Sequence, residues 1–150
     1  YGAAKAALFD MPDLQCAVLN LDDILGVRLA QRLAARGQRT IGYALSLSQL
    51  VPGVVSDFVA ARDVSVDEDG MKVSLVSSWG DAQARINQLG RFNVSNALGV
   101  LGCLLAYGVA FERAVALLGS LPPVPGRMQR IGGAGKPLVV VGYSQPPDGL

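Results

Sequence analysis

The chain has 150 residues, a net charge of +1 and 51% hydrophobic residues. That length supports one medium domain with a true core. The near-neutral charge removes the electrostatic case for a nucleic-acid or anionic-membrane partner, and the apolar content excludes a disordered chain. With no histidine, a His-based triad, general base or metal ligand is excluded within these residues. The two cysteines, Cys16 and Cys103, lie in apolar runs and read as buried free thiols in a reducing compartment.

The chain starts without Met, inside a predicted helix, and stops just after a predicted strand, so it reads as a piece of a longer protein. No secretory pattern occupies Tyr1 to Asp10. Ala-rich Gly2 to Phe9, with Lys5 as its only charge, predicts a helix, and Asp10 to Asp13 a break. Gln15 to Leu19 reads as a buried strand, Ile24 to Arg36 as an amphipathic helix with Gly37 as its C-cap, and Thr40 to Leu45 as a second strand. Strand, helix and strand with short links make a βαβ unit with a parallel pair.

Ser46 to Ser56 carries Pro and Gly and predicts a loop. Phe58 to Val66, Met71 to Ser77 and Ala82 to Leu89 follow as strands joined by the turns Asp67 to Gly70 and Ser78 to Asp81, a small antiparallel meander. Gly90 to Asn96 leads from that meander into the longest apolar run, and the next helices are predicted at Asn96 to Tyr107 and Phe111 to Leu118. The apolar run Ala97 to Phe111 is 15 residues long, short of the ~18–20 that span a bilayer. Leu121 to Gly126 contains three prolines and marks a boundary between residues 1–124 and 125–150. Met128 to Ile131 and Pro137 to Val141 predict two last strands. The predicted fold class is α/β: a mostly parallel sheet with flanking helices and a small antiparallel meander, then the first strands of another α/β domain.

Several short motifs invite functional readings. Gly132 to Lys136 is not a phosphate-binding loop, since Pro137 stands where Ser or Thr is required and Arg130 where the first Gly is required; it reads as a hairpin turn. Asp22 and Asp23 sit beyond a buried strand, where α/β sheets place ligands, yet acidic residues there also cap helices, and at least one is expected to do so. Asn93 and Asn96 are two carboxamides at a loop-to-helix junction; either could cap the helix or meet the polar edge of a ligand. Asn93-Val94-Ser95 is formally a glycosylation sequon, without weight in a chain that shows no secretory signal. Lys5 on composition alone is a solvent-facing charge, and Arg127 a linker cation able to reach phosphate oxygens bidentately.

Four strings in register resemble one family. Tyr1 to Phe9 is similar to the helix that carries the carbamylated lysine of the Mur ligases, and Asn20-Leu21-Asp22-Asp23 to their Asn-x-Asp-Asp segment. Gly90-Arg91-Phe92-Asn93-Val94-Ser95-Asn96 resembles their adenine-side motif, in the spelling of the tripeptide-forming branch, and Pro123 to Met128 their linker into the C-terminal domain. The resemblance runs nearly end to end. It implies the latter part of the central ATPase domain over 1–124 and the opening of the C-terminal domain over 125–150. It also implies a cytoplasmic enzyme, a monomer as parent, that adds a diamino acid (diaminopimelate or lysine) to UDP-MurNAc-L-Ala-D-Glu in peptidoglycan synthesis. ATP and Mg²⁺ are the implied cofactors, with no nucleic-acid or membrane partner. Lys5 is then the carbamylated catalytic residue and metal ligand, Asn93 and Asn96 border the adenine, and Arg127 reaches the phosphates when the domains close.

Two departures stand out. The family's ribose-holding Asp is Gly142 here, and its following His is Gln145. The family's Gly-rich ATP loop, its UDP-binding domain and most of its C-terminal domain fall outside these residues, so the chain by itself is expected to be inactive. Two rivals remain open: another ligase of the superfamily, of the folylpolyglutamate or cyanophycin synthetase kind, and a non-catalytic descendant with a decayed nucleotide site.

Overall fold

The computed structural model describes residues 2–67, 70–122, 129–132 and 137–142. Helix α1 (Gly2–Ala7) runs into a short 3₁₀ turn, Leu8–Asp10. Strand β1 (Ala17–Asn20), helix α2 (Ile24–Ala34) and strand β2 (Thr40–Ala44) follow, and β1 and β2 pair in parallel, Val18 opposite Ile41. This is the expected βαβ unit. It forms because α2 carries Leu29, Ala30 and Leu33 on one face and closes them over Ala17 and Leu19.

Strand β3 (Asp57–Asp67) pairs in parallel with β2 on one side and antiparallel with β4 (Gly70–Ser77) on the other; β4 in turn pairs antiparallel with β5 (Gly80–Ile86). The meander therefore extends the parallel sheet, giving one sheet in the order β1-β2-β3-β4-β5. No α-helix crosses between β2 and β3; the connection is a loop with one 3₁₀ turn, Leu47–Gln49, long enough for a parallel crossover. Near Ala61 and Asp63 the register of β3 on β4 shifts, a bulge where the strand passes beyond its parallel partner.

Helix α3 (Arg91–Ala106) lies on the sheet face opposite α2, and α4 (Phe111–Leu118) packs beside it over β5. Val94, Leu98 and Leu101 of α3 are buried against Ile41, Val59 and Leu75 of the sheet. Where α3 crosses β1, a Cβ on Gly102 would stand 2.7 Å from Val18 Cγ1, so glycine sets the depth of that contact. Strands β6 (Gln129–Gly132) and β7 (Leu138–Val141) form a separate antiparallel pair, consistent with the predicted hairpin.

Two expectations are corrected. Helix α3 starts at Arg91, five residues before the predicted Asn96, so both asparagines lie inside it. The thiols are not both buried: Cys16 is half-buried and Cys103 is exposed, both as free cysteines. Helix α3 is apolar nearly all round, so periodicity could not reveal which face meets the sheet. Cys103 falls on a flank of the helix that is left exposed. No helix among the described residues is long and apolar enough to cross a membrane.

Candidate functional site around the start of helix α3

Strands β1, β2, β3 and β5 run in one direction, so their carboxyl ends share an edge, the edge at which open α/β sheets bind ligands. Two loop-to-helix junctions stand there.

The first is Asn20 to Asp23. Asn20 Oδ1 accepts the Asp22 N–H at 3.0 Å, and Asp22 Oδ2 accepts the Leu45 N–H at 2.9 Å, pinning the β1 loop to the end of β2. Asp23 is the N-cap of α2, its Oδ1 accepting the Leu25 N–H at 2.7 Å. Both carboxylates thus hold backbone, which extends the expectation that at least one caps. Gly26 lets α2 press onto this loop: a Cβ there would lie 1.7 Å from the Asn20 carbonyl oxygen.

The second junction is Gly90 to Asn96. Gly90 holds φ 99°, a left-handed conformation that favours glycine, and caps α3 with no side-chain hydrogen bond. Asn93 is 5% exposed, and its Nδ2 donates to the Leu89 carbonyl at 2.7 Å, reaching back across the junction. Asn96, one turn on, is exposed. It lines a cleft of about 520 Å³ with Tyr43, Gly99, Val100, Cys103, Leu104 and Tyr107. The sequence put Asn93 and Asn96 together at a loop-to-helix junction; both lie in the first turns of α3, and of the two Asn96 lines the cleft.

Tyr43 was not foreseen. It projects from β2 beneath α3, where a Cβ on Gly99 would stand 3.3 Å from its Cζ and hydroxyl oxygen. Burial pushes its phenol up, aided by the nearby Cys103 thiol and the Asp22 and Asp23 carboxylates. The available signal was a tyrosine between Gly42 and Ala44 in a buried strand, since a phenol there needs a wet or bonded end.

Lys5 is exposed in the last turn of α1 and does not line the cleft. Its segment is tied to α2: Arg32 donates to the Ala6 carbonyl at 3.2 Å, and Asp10 pairs with Arg36 at 2.8 Å and Arg32 at 3.4 Å. The hydrogen bond from Arg36, with the Arg32 charge, holds the Asp10 carboxyl below its ordinary range. Arg127 and Gln145 lie outside the described residues; Gly142 follows β7 and is exposed. Among the described residues, no three His, Cys, Asp or Glu come together as a metal site. The cleft is open and mostly apolar, lined by uncharged residues of which Asn96, Tyr43 and Cys103 carry polar atoms.

The description "Mur ligase middle domain" matches residues 1–104. The UDP-N-acetylmuramoyl-L-alanyl-D-glutamate--2,6-diaminopimelate ligase of Janthinobacterium sp. (strain Marseille) is 46% identical over 152 residues, covering 100% of this chain and 29% of that protein. The ligase of the same name from Ectopseudomonas mendocina (strain ymp) is 45% identical over 150 residues, again 100% of this chain and 29% of its own length. A solved UDP-N-acetylmuramoyl-L-alanyl-D-glutamate--2,6-diaminopimelate ligase superposes with a TM-score of 0.76 at 32% identity, over 99% of this chain and 29% of that one. A pseudomurein peptide ligase type C from Methanothermus fervidus, 20% identical with a TM-score of 0.69 over 96% of this chain and 34% of its own, shares the fold. The chain therefore spans about 29% of the length of the curated relatives it matches. The four strings and the five-stranded mixed sheet with flanking helices agree with these findings: the chain belongs to the Mur ligase family, within whose middle domain its first 104 residues fall.

Proposed function

We propose that the chain is part of an ATP-dependent ligase that joins diaminopimelate to UDP-MurNAc-L-Ala-D-Glu in peptidoglycan synthesis. The observation that carries this reading is 46% identity across the whole chain to a ligase named for that substrate pair. In the proposed reaction the D-Glu carboxylate takes the γ-phosphoryl group of ATP, releasing ADP. The amine of diaminopimelate then attacks the acyl phosphate, and inorganic phosphate leaves as the amide forms. The UDP-linked precursor and ATP are metabolites of the cytoplasm, and the parent acts there as a monomer.

This chain's own residues supply the adenine end of the site. Asn96 presents a carboxamide, donor and acceptor together, which suits the edge of adenine. Asn93 serves from behind, holding Leu89 and hence the Gly90 turn against the helix. Lys5, as a carbamate, would offer oxygen to Mg²⁺, the donor type that ion prefers. The described residues do not complete a Mg²⁺ site on their own, so no step is derived through the metal. The metal, when bound, would neutralise charge on the transferring phosphoryl group. Arg127 would reach the phosphates from a C-terminal domain that starts at 125–150.

The test is phosphate release by the full-length protein supplied with ATP, Mg²⁺ and UDP-MurNAc-L-Ala-D-Glu. Release should require diaminopimelate, be lost in Lys5→Ala, and be absent from residues 1–150 alone. Release with lysine in place of diaminopimelate would move the assignment to another diamino acid. A second reading, a non-catalytic descendant, is favoured by Gly142, which removes a charged hydrogen bond expected at the ribose. Failure of the full-length protein to bind millimolar ADP would establish it.

A further inference from the structure

We infer that Tyr43 is a specificity-determining residue of the nucleotide site, its hydroxyl reading the edge of the base alongside Asn96. This rests on the proposal that the cleft beside α3 receives the adenine.

Three observations carry it. The first is the shape of the wall. Tyr43 sits under Gly99, and a Cβ there would come within 3.3 Å of the ring's Cζ and hydroxyl oxygen. A Cβ at 99 would make the ring give by a few tenths of an ångström, so the bare backbone lets the phenol stand close beneath the helix at the cleft wall. The second is the hydroxyl's lack of an internal role. Among the described residues it makes no hydrogen bond. The nearest carboxylates have other work, Asp22 holding the Leu45 N–H and Asp23 capping α2. The phenol is half-buried, and its hydroxyl, open to the cleft, is available to a ligand that enters there. The third is the character of the lining. Gly99, Val100, Leu104 and the Tyr107 ring surround Asn96, Tyr43 and the Cys103 thiol, with no formal charge among them. Such a wall suits a purine ring and would receive phosphates or a carboxylate poorly. A base held there meets two polar groups from two elements, a carboxamide from α3 and a phenol from β2, and two contacts fix its rotation where one does not.

The experiment is titration of the full-length protein with ADP and with 2′-deoxy-ADP, using Tyr43→Phe, Gly99→Ala and Asn96→Ala. Tyr43→Phe removes only the oxygen and should leave thermal unfolding unchanged while raising the Kd for ADP roughly three- to tenfold, the range for one neutral hydrogen bond. Gly99→Ala, which crowds the ring by a few tenths of an ångström, should weaken ADP by less than Tyr43→Phe does. The factor lost in Tyr43→Phe should be the same for 2′-deoxy-ADP. If that loss vanishes with 2′-deoxy-ADP, the hydroxyl meets the ribose, and the base assignment is overturned. If Tyr43→Phe binds ADP as tightly as the unaltered protein while Asn96→Ala is weakened, the role of Tyr43 is refuted and the nucleotide reading stands. If Asn96→Ala is also unchanged, the cleft is not the nucleotide site and both fall.

Discussion

The two loop-to-helix junctions at the carboxyl edge of the sheet solve one problem in opposite ways. At Asn20 to Asp23 every carboxylate is committed to backbone, and Gly26 lets the helix close onto the loop. At Gly90 to Asn96 the helix opens on a glycine without a side-chain cap, one carboxamide braces the turn, and the next is left facing a cleft. Polar side chains at this edge of the sheet thus divide between those held by backbone and one left open to the cleft. The first junction spends all of its carboxylates on structure; the second keeps Asn96 in reserve.

Substitutions can break this contrast, and their expected effects on stability fall in a clear order. Gly26→Ala forces a Cβ into the Asn20 carbonyl oxygen and should cost about 3 kcal/mol or more, read as a shifted denaturant midpoint. Asn93→Ala leaves the Leu89 carbonyl without its donor, at about 1–3 kcal/mol, and should weaken ADP indirectly as the turn loosens. Asp23→Ala removes the cap of α2, at about 1 kcal/mol, with ADP affinity untouched. Asn96→Ala should change stability by less than about 0.5 kcal/mol, since the side chain is exposed, yet lose about tenfold in ADP affinity by titration. Should Asp23→Ala weaken ADP as much as Asn96→Ala, the division of roles would not hold.

Much of this was legible in the residues. The βαβ unit followed from the strand-helix-strand pattern of Gln15 to Leu45, and the meander from its turns. The start of α3 was misplaced because an asparagine is a common cap, whereas Gly90 begins the helix through its backbone geometry alone. The exposure of Cys103 was hidden because α3 offers apolar residues on every side, and its rotation is set by the packing of Val94, Leu98, Leu101 and Gly102 on the sheet. For the site, the family resemblance pointed to Lys5, Asn93, Asn96 and Arg127, of which Asn96 lines the cleft and Arg127 lies outside the described residues. Tyr43 was invisible to it, because its relevance comes from a contact between β2 and α3 that no spacing encodes.

The double role of β3 bears on how this sheet assembles. Its pairing with β4 closes a hairpin of adjacent residues, while its pairing with β2 must span the loop after Ala44, and β1 joins only through a helical crossover. Loop-closure entropy favours the local pairing, so the hairpin is the natural nucleus and β3 the template on which the parallel strands dock in turn. Pulsed hydrogen exchange during refolding should then protect the amides of Val73 and Ala84 before those of Val18 and Ile41; the reverse order would make the parallel pair the nucleus.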